Sequence, residues 1–262
     1  MGSPSGADDE KPPCRVRIDK PFWIARTEIT NRQFATFDPR HDSHYESMHG
    51  YQFGMHGYAM DKPAQPAVRL NWNQAMAFCR HLSAKTGLKF NLPTEAQWEY
   101  ACRAGSAKPF WYGDMDSDFS KLANLGDAKL SEFALDTFIR VHVIAKPNKY
   151  DDWVPKDARF NDGAFVTADA GTYQPNPWGL CDMHGNAAEW TRSAYRPYPW
   201  ADDDGRNPPA DADPTALSPL ERRVVRGGSF YDPPRLARSA SRRDHAAWQQ
   251  VFDVGFRVVC SP

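Results

Sequence analysis

The sequence predicts a single α+β domain rich in irregular structure, and three observations lead there. Two stretches carry helical periodicity with capping signals, short alternating apolar runs read as strands, and long intervening segments draw on 22 prolines and 17 glycines in 262 residues. Hydrophobic residues make up 41% of the chain, enough for one large core, and no linker divides it into two. Residues 1–12 read as a leader-like tail and 13–262 as the domain.

Taken in order, residues 15–29 alternate apolar and polar through Val16, Ile18, Phe22, Ile24 and Ile29, the pattern of paired strands. Thr30 and Gln33 have capping-box spacing, so a short helix follows with Phe34 and Phe37 on one face. Residues 38–66 are irregular and hold His41, His44, His49 and His56, with MHGY repeated from Met48 and Met55. His41, His44 and Glu46 offer the imidazole and carboxylate donors that non-haem iron uses. Their spacing is loose and no helix holds them on one face, so a loop lining a cleft is the favoured reading.

The next helix is plain. Ala75, Phe78, Cys79 and Leu82 fall at i, i+3, i+4 and i+7, with Asn71 or Asn73 as cap and Gly87 as stop. Thr94 and Gln97 form another capping box, Trp98, Ala101 and Cys102 make a buried stripe, and Gly105 ends the helix. Glu95 and Glu99 read as solvated or capping. Residues 106–172 are long, polar and aromatic, and 196–220, with Asp202-Asp203-Asp204 and Asn207-Pro208-Pro209, read as a surface excursion.

Charge excludes some functions. Lys and Arg number 32 against 33 Asp and Glu, a net charge of −1, so there is no basic field for nucleic acid. No run of about 18 apolar residues spans a membrane. A small aromatic or peptide-like substrate is the expected partner. The five cysteines contain no CxxC pair, which argues against a zinc ribbon or thioredoxin-type site.

Residues 174–192, QPNPWGLCDMHGNAAEWTR, are the densest stretch. Asp182 and Glu189 are expected as side-chain ligands of a hard cation such as Ca²⁺, with the carbonyls of Gly185 and Ala187 between them. An Asx-type turn leading into a strand is the plainer alternative. His184 reads as structural and Trp190 as core.

The run Gly179-Leu180-Cys181-Asp182-Met183-His184-Gly185-Asn186-Ala187-Ala188-Glu189-Trp190 resembles the central signature of the formylglycine-generating enzyme (sulfatase-modifying factor) family. Thr27-Glu28-Ile29-Thr30-Asn31, Pro66-Ala67-Val68-Arg69-Leu70-Asn71-Trp72, Leu92-Pro93-Thr94-Glu95, Arg226-Gly227-Gly228-Ser229 and Val254-Gly255-Phe256-Arg257 match in order along nearly the whole chain. The resemblance implies a C-type-lectin-like fold braced by two structural calcium ions. One would sit at Asp182, Gly185, Ala187 and Glu189, the other at Asn124, Leu125, Asp162 and Ala164. It also implies a periplasmic or secreted location. Some family members bridge a helix cysteine to one near the C-terminus, which makes Cys79–Cys260 a candidate disulfide with Cys14 as rival partner; five buried thiols are the alternative.

In thiol-dependent members two cysteines after Gly-Gly-Ser bind copper and drive conversion of a sulfatase cysteine to formylglycine. Here Asp232 stands at the first position, and no cysteine lies between Cys181 and Cys260. Thiolate copper chemistry is therefore excluded at this position, and formylglycine generation is not expected; any redox metal is unidentified. What remains is an arginine-rich aromatic wall. Asp232, Tyr231, Arg238 and His245 are the candidate catalytic residues, His245 as a group titrating near neutral pH. Arg235, Arg242, Trp248 and Ser229 are candidate substrate contacts, alongside Arg243.

Thiol-less relatives include the periplasmic protein that matures the pyoverdine siderophore chromophore. The leading expectation is accordingly an extracytoplasmic oxidative tailoring protein. The alternatives are a calcium-braced binding module without catalysis and a paralogue that binds sulfatase peptides.

Overall fold

The structure, a computed structural model, describes residues 1–43, 58–131, 156–201, 203–208 and 221–261. Among the described residues are three α-helices and seven strands: α1 (Asn31–Phe34), α2 (Trp72–Thr86) and α3 (Glu95–Arg103), with β1 (Trp23–Ile24), β2 (Lys89–Asn91), β3 (Ala188–Ala194), β4 (Arg222–Arg226), β5 (Arg243–Ala246), β6 (Val254–Gly255) and β7 (Val259–Ser261). They make a mixed architecture of two small sheets, ordered β1-β7-β2 and β5-β4-β3-β6.

All three expected caps form. Thr30, Asn71 and Thr94 each accept from the backbone N–H three residues on, and Gln33, Gln74 and Gln97 answer reciprocally. Gly87 stops α2 in the left-handed conformation, whereas Ala104, not Gly105, takes that position after α3. The expected strand pairing over residues 15–29 shrinks to Trp23–Ile24, which pairs antiparallel with β7 at Cys260 and Val259. Residues 15–22 alternate in hydropathy without finding a ladder.

The main core lies where α1 and α2 pack on the second sheet. Phe34 stacks on Phe78 at 5.5 Å, and Phe256 meets both rings edge-on at 6.0 and 5.4 Å. Trp190 is fully buried there, its indole N–H donating to the carbonyl of Leu70. A second cluster gathers Trp98, Ala101 and Cys102 of α3 against Leu180 and Met183, as the helical stripe requires.

Three expectations change on folding, and the choice left open between a disulfide and free thiols is resolved. Glu95 and Glu99 are not solvated: both are buried, Glu95 gripped by Arg242 at 2.6 Å and Glu99 paired with Arg226 and Arg103. No disulfide forms; Cys14, Cys79, Cys102, Cys181 and Cys260 are all free thiols. Residues 1–12 do not trail as a tail. The Gly2 N–H donates to Glu99 at 2.9 Å, Tyr195 bonds Asp9, and the buried Glu10 carboxylate receives both terminal nitrogens of Arg238. The described part of the 196–208 segment folds back too, since Ala194 N–H donates to Arg206 and the buried Arg206 guanidinium lies 4.4 Å over Trp200.

Candidate functional site

The chain leaves β4 through Gly227 and Gly228, both at positive φ, 94° and 69°, a turn that side chains resist. This delivers Ser229 into a buried polar cluster. Its hydroxyl lies 2.9 Å from Asp232 Oδ2 and 2.7 Å from Asp253 Oδ2, and its backbone N–H donates to Asp232 at 2.9 Å. Arg243 reaches in from β5, with Nη1 donating to Asp232 Oδ1 at 3.0 Å and Nη2 2.8 Å from Asp232 Oδ2 and 3.5 Å from Asp253.

One hydroxyl carries one proton, so contact with two carboxylates is satisfied only if one of the carboxyls holds a proton itself. Electrostatics agree: burial raises the Asp232 pKa, Arg243 pulls it back, and the charge of Asp253 pushes it up again. The cluster is therefore a carboxyl pair able to share a proton through Ser229. Arg243 keeps part of its side chain in solvent, which gives the cluster an outlet.

The other candidate residues separate. Tyr231 is half-buried against Phe252 and Phe230, beside the cluster. His245 lies two residues beyond Arg243 on β5, its ring edge-on to Trp190 at 6.0 Å and its Nε2 buried without a hydrogen-bond partner. Burial, then the charge of Arg243, lowers its pKa to about 4, so it is neutral near pH 7 and does not titrate there as expected. Arg242 is a buried structural group, whereas Arg238 lines an open cavity together with Arg235 and Arg103. Arg238 is held by Glu10, and Arg242 lies between the rings of Tyr195 and Tyr198 while paired to Glu95. Arg235 and Trp248 are exposed.

In the histidine stretch, His44 and Glu46 fall outside the described residues. His41 packs edge-on to Phe34, and its Nε2 contacts the carbonyl of Val68 at 2.9 Å and Ser43 Oγ at 3.3 Å. His184 is buried as a structural group, Nδ1 meeting the Ala237 carbonyl at 2.7 Å.

The two positions where calcium is expected differ. At the first, the Leu125 and Ala164 N–H groups donate to Asp162 at 2.8 and 2.9 Å, which draws the four residues together, while Asn124 Oδ1 is buried with no partner. Burial and the neighbouring charge of Asp127 raise the Asp162 pKa to about 7. These residues fit a cation, which would neutralise that repulsion.

At the second position Asp182 Oδ1 is likewise a buried orphan. Glu189, however, is already saturated. Arg257 donates to both of its oxygens at 2.6 to 2.9 Å and the Trp98 indole N–H to Oε2 at 2.7 Å. Gly185, at φ 78°, packs so closely on the Asn124 carbonyl that no side chain fits. Among the described residues no group of three or more His, Cys, Asp or Glu side chains converges as a metal centre.

Sequence reasoning missed Asp253 and Glu28. Asp253 stands two residues before Gly255 in the Gly-Phe-Arg motif, and Glu28 sits inside Thr-Glu-Ile-Thr-Asn; both were visible only as motif neighbours.

The formylglycine-generating enzyme of Mycobacterium tuberculosis is 26% identical over 224 residues, covering 81% of this chain, and the chain spans only 62% of that enzyme's length. The mouse inactive C-alpha-formylglycine-generating enzyme 2 is 23% identical over 306 residues, covering 99% of this chain and 81% of that protein. The structure of PvdO from Pseudomonas aeruginosa is similar at a TM-score of 0.68 and 25% identity, covering 100% of this chain and 90% of that one. The sulfatase-modifying factor enzyme 1-like domain matches residues 1–262, and this chain belongs to that family.

Proposed function

We propose that this protein is an extracytoplasmic oxidative tailoring protein that acts in maturation of a siderophore chromophore such as pyoverdine. The observation that carries the reading is the replacement of the family's thiol position by the Asp232–Ser229–Asp253 cluster. It is supported by the likeness to PvdO over the full chain. No helix among the described residues is long and apolar enough to cross a membrane.

Oxidising a catechol-like substrate removes two electrons and two protons. In this reading dioxygen accepts both electrons and both protons and leaves as hydrogen peroxide; the carboxyl pair takes one of those protons from the substrate and passes it on, while Arg243 steadies the developing charge. Tyr231 would contribute an aromatic wall. Calcium belongs to the reading as a brace, not a reactant: at Asn124, Leu125, Asp162 and Ala164 it would cross-link loops and neutralise buried charge.

A second reading, binding without chemistry, is favoured by the completeness of the cluster, in which Ser229 and Arg243 already satisfy Asp232. The inactive mouse relative is a precedent for it within the family; a paralogue that binds sulfatase peptides is its narrower form. The test is oxygen consumption by purified protein with a catechol-bearing chromophore precursor, alongside metal analysis. Turnover that falls about 100-fold in Asp232→Asn supports the tailoring reading. Saturable binding of the precursor with no oxygen uptake overturns it, and binding of a Cys-x-Pro-x-Arg peptide instead would establish the paralogue.

A further inference from the structure

We infer that the open cavity beside the N-terminal segment binds a small organic anion, its acidic group held by Arg235 and Arg238 and its apolar body by Pro4, Pro109 and Leu236. This site stands apart from the oxidative reading, since Ser229, Asp232 and Asp253 do not line it. Its volume is about 780 Å³, a size that suits a small molecule.

The lining is one-sided in charge. Four basic side chains, Arg103, Lys108, Arg235 and Arg238, contribute to it and no Asp or Glu does. The carboxylates that hold two of them lie behind the wall, Glu10 and Glu99 each being 1% exposed. Glu10 takes both terminal nitrogens of Arg238, whose Nε donates to the Arg235 carbonyl at 2.9 Å. Glu99 accepts from Arg103 Nε at 2.9 Å, and the Gly2 carbonyl accepts from Nη2 at 3.2 Å. Both guanidiniums are thus fixed before any ligand arrives, so binding does not have to order them. Three of the five Arg238 N–H groups are engaged in these bonds, which leaves two to donate.

Arg235 is the uncommitted cation. Its carbonyl accepts from Arg238 and from the Ser241 hydroxyl, whereas its exposed guanidinium pairs with no carboxylate among the described residues. Lys108 pairs with Asp114 at 3.0 Å, but the two side chains are 60% and 64% exposed, so water weakens the pair and an incoming anion can compete for the ammonium. Pro4, Pro109, Met115 and Leu236 supply apolar surface to the same cavity. A bare phosphate would leave that surface wet. An acid carried on an aromatic or acyl body covers it while meeting the forked donors.

The test titrates the full chain by calorimetry with 2-naphthoate, and with neutral 2-naphthalenemethanol and inorganic phosphate for comparison. Expected is one saturable naphthoate site per chain, with the alcohol and phosphate each weaker by roughly tenfold or more. Arg235→Gln removes the unpaired charge, and Ala107→Glu places a carboxylate in the cavity lining. Both positions are exposed, so the fold persists, and unchanged melting temperatures verify it. Each variant is expected to weaken naphthoate binding roughly tenfold, whereas Arg40→Gln, an exposed arginine outside the cavity, leaves it unchanged. A wild type indifferent to naphthoate, or wild-type affinity in both cavity variants, would overturn the assignment. Equal affinity for the alcohol would remove the arginines from the account, and equal affinity for phosphate would reduce the site to a patch for bare anions; either result also sinks the proposal.

Discussion

Arg257 and Glu189 meet as a closed fork in the centre of the protein, the guanidinium donating through Nε and Nη2 to both carboxylate oxygens while neither residue touches solvent. The pair joins the Gly-Phe-Arg motif near the C-terminus to the central signature on β3, so two motifs far apart in sequence are one structural unit. Removing one member strands the other's charge in the core. Arg257→Met is expected to lower the unfolding free energy by about 3–5 kcal/mol, read from urea midpoints. A variant within about 1 kcal/mol of wild type would mean that the carboxylate is neutralised in another way.

The N-terminal segment gives a second expectation. Glu10 is buried and paired to Arg238, and the Asp9 carbonyl accepts from Arg242 at 2.9 Å. Glu10→Ala removes the carboxylate from Arg238, which keeps its bond to the Arg235 carbonyl and some access to solvent, and should cost about 1–2 kcal/mol. Thermal melts with and without residues 1–12 test the same point: truncation lowers the melting temperature if the segment is part of the domain and leaves it unchanged if it is an appendage.

Protonation of His245 links folding to pH. Its folded pKa of about 4 lies below the ordinary value of 6.5, so the unfolded chain binds the extra proton between those values. The stabilisation is complete above pH 6.5 and is lost as pH falls towards 4, with an upper bound of about 3 kcal/mol. His184, also lowered to about 4 by burial, acts in the same direction. His245→Phe should flatten the fall in urea midpoint between pH 6.5 and 4, leaving the part due to His184. A variant whose profile superimposes on wild type excludes His245 as a contributor.

The thiols offer a simple check. Burial raises the pKa of Cys79 and pushes that of Cys102 up to about 12, so neither is a thiolate near neutral pH. Cys14 is the least buried of the five. A thiol reagent should label Cys14 first in the native protein and all five only after unfolding, and a reductant should leave the melting temperature unchanged. A drop in melting temperature on reduction would reveal a bridge.

The sequence by itself determined the local elements and the family. Capping boxes at Thr30, Asn71 and Thr94 and the apolar stripes of α2 and α3 are interactions within a few residues, so their spacing is enough to specify them. The motifs around Gly185 and Ser229 likewise announced themselves through glycines at positions where the backbone needs positive φ. Tertiary structure decided which polar residues are partners. Arg242 reads in sequence as part of a ligand-binding wall, but Glu95, from a distant segment, pairs with it in the interior. Asp253 joined Asp232 only because β6 runs parallel to β3 and brings the C-terminal motif beside the turn after β4. Charge pairing and desolvation depend on distances across the fold, and those are set by packing of elements far apart in the chain, which no periodicity records.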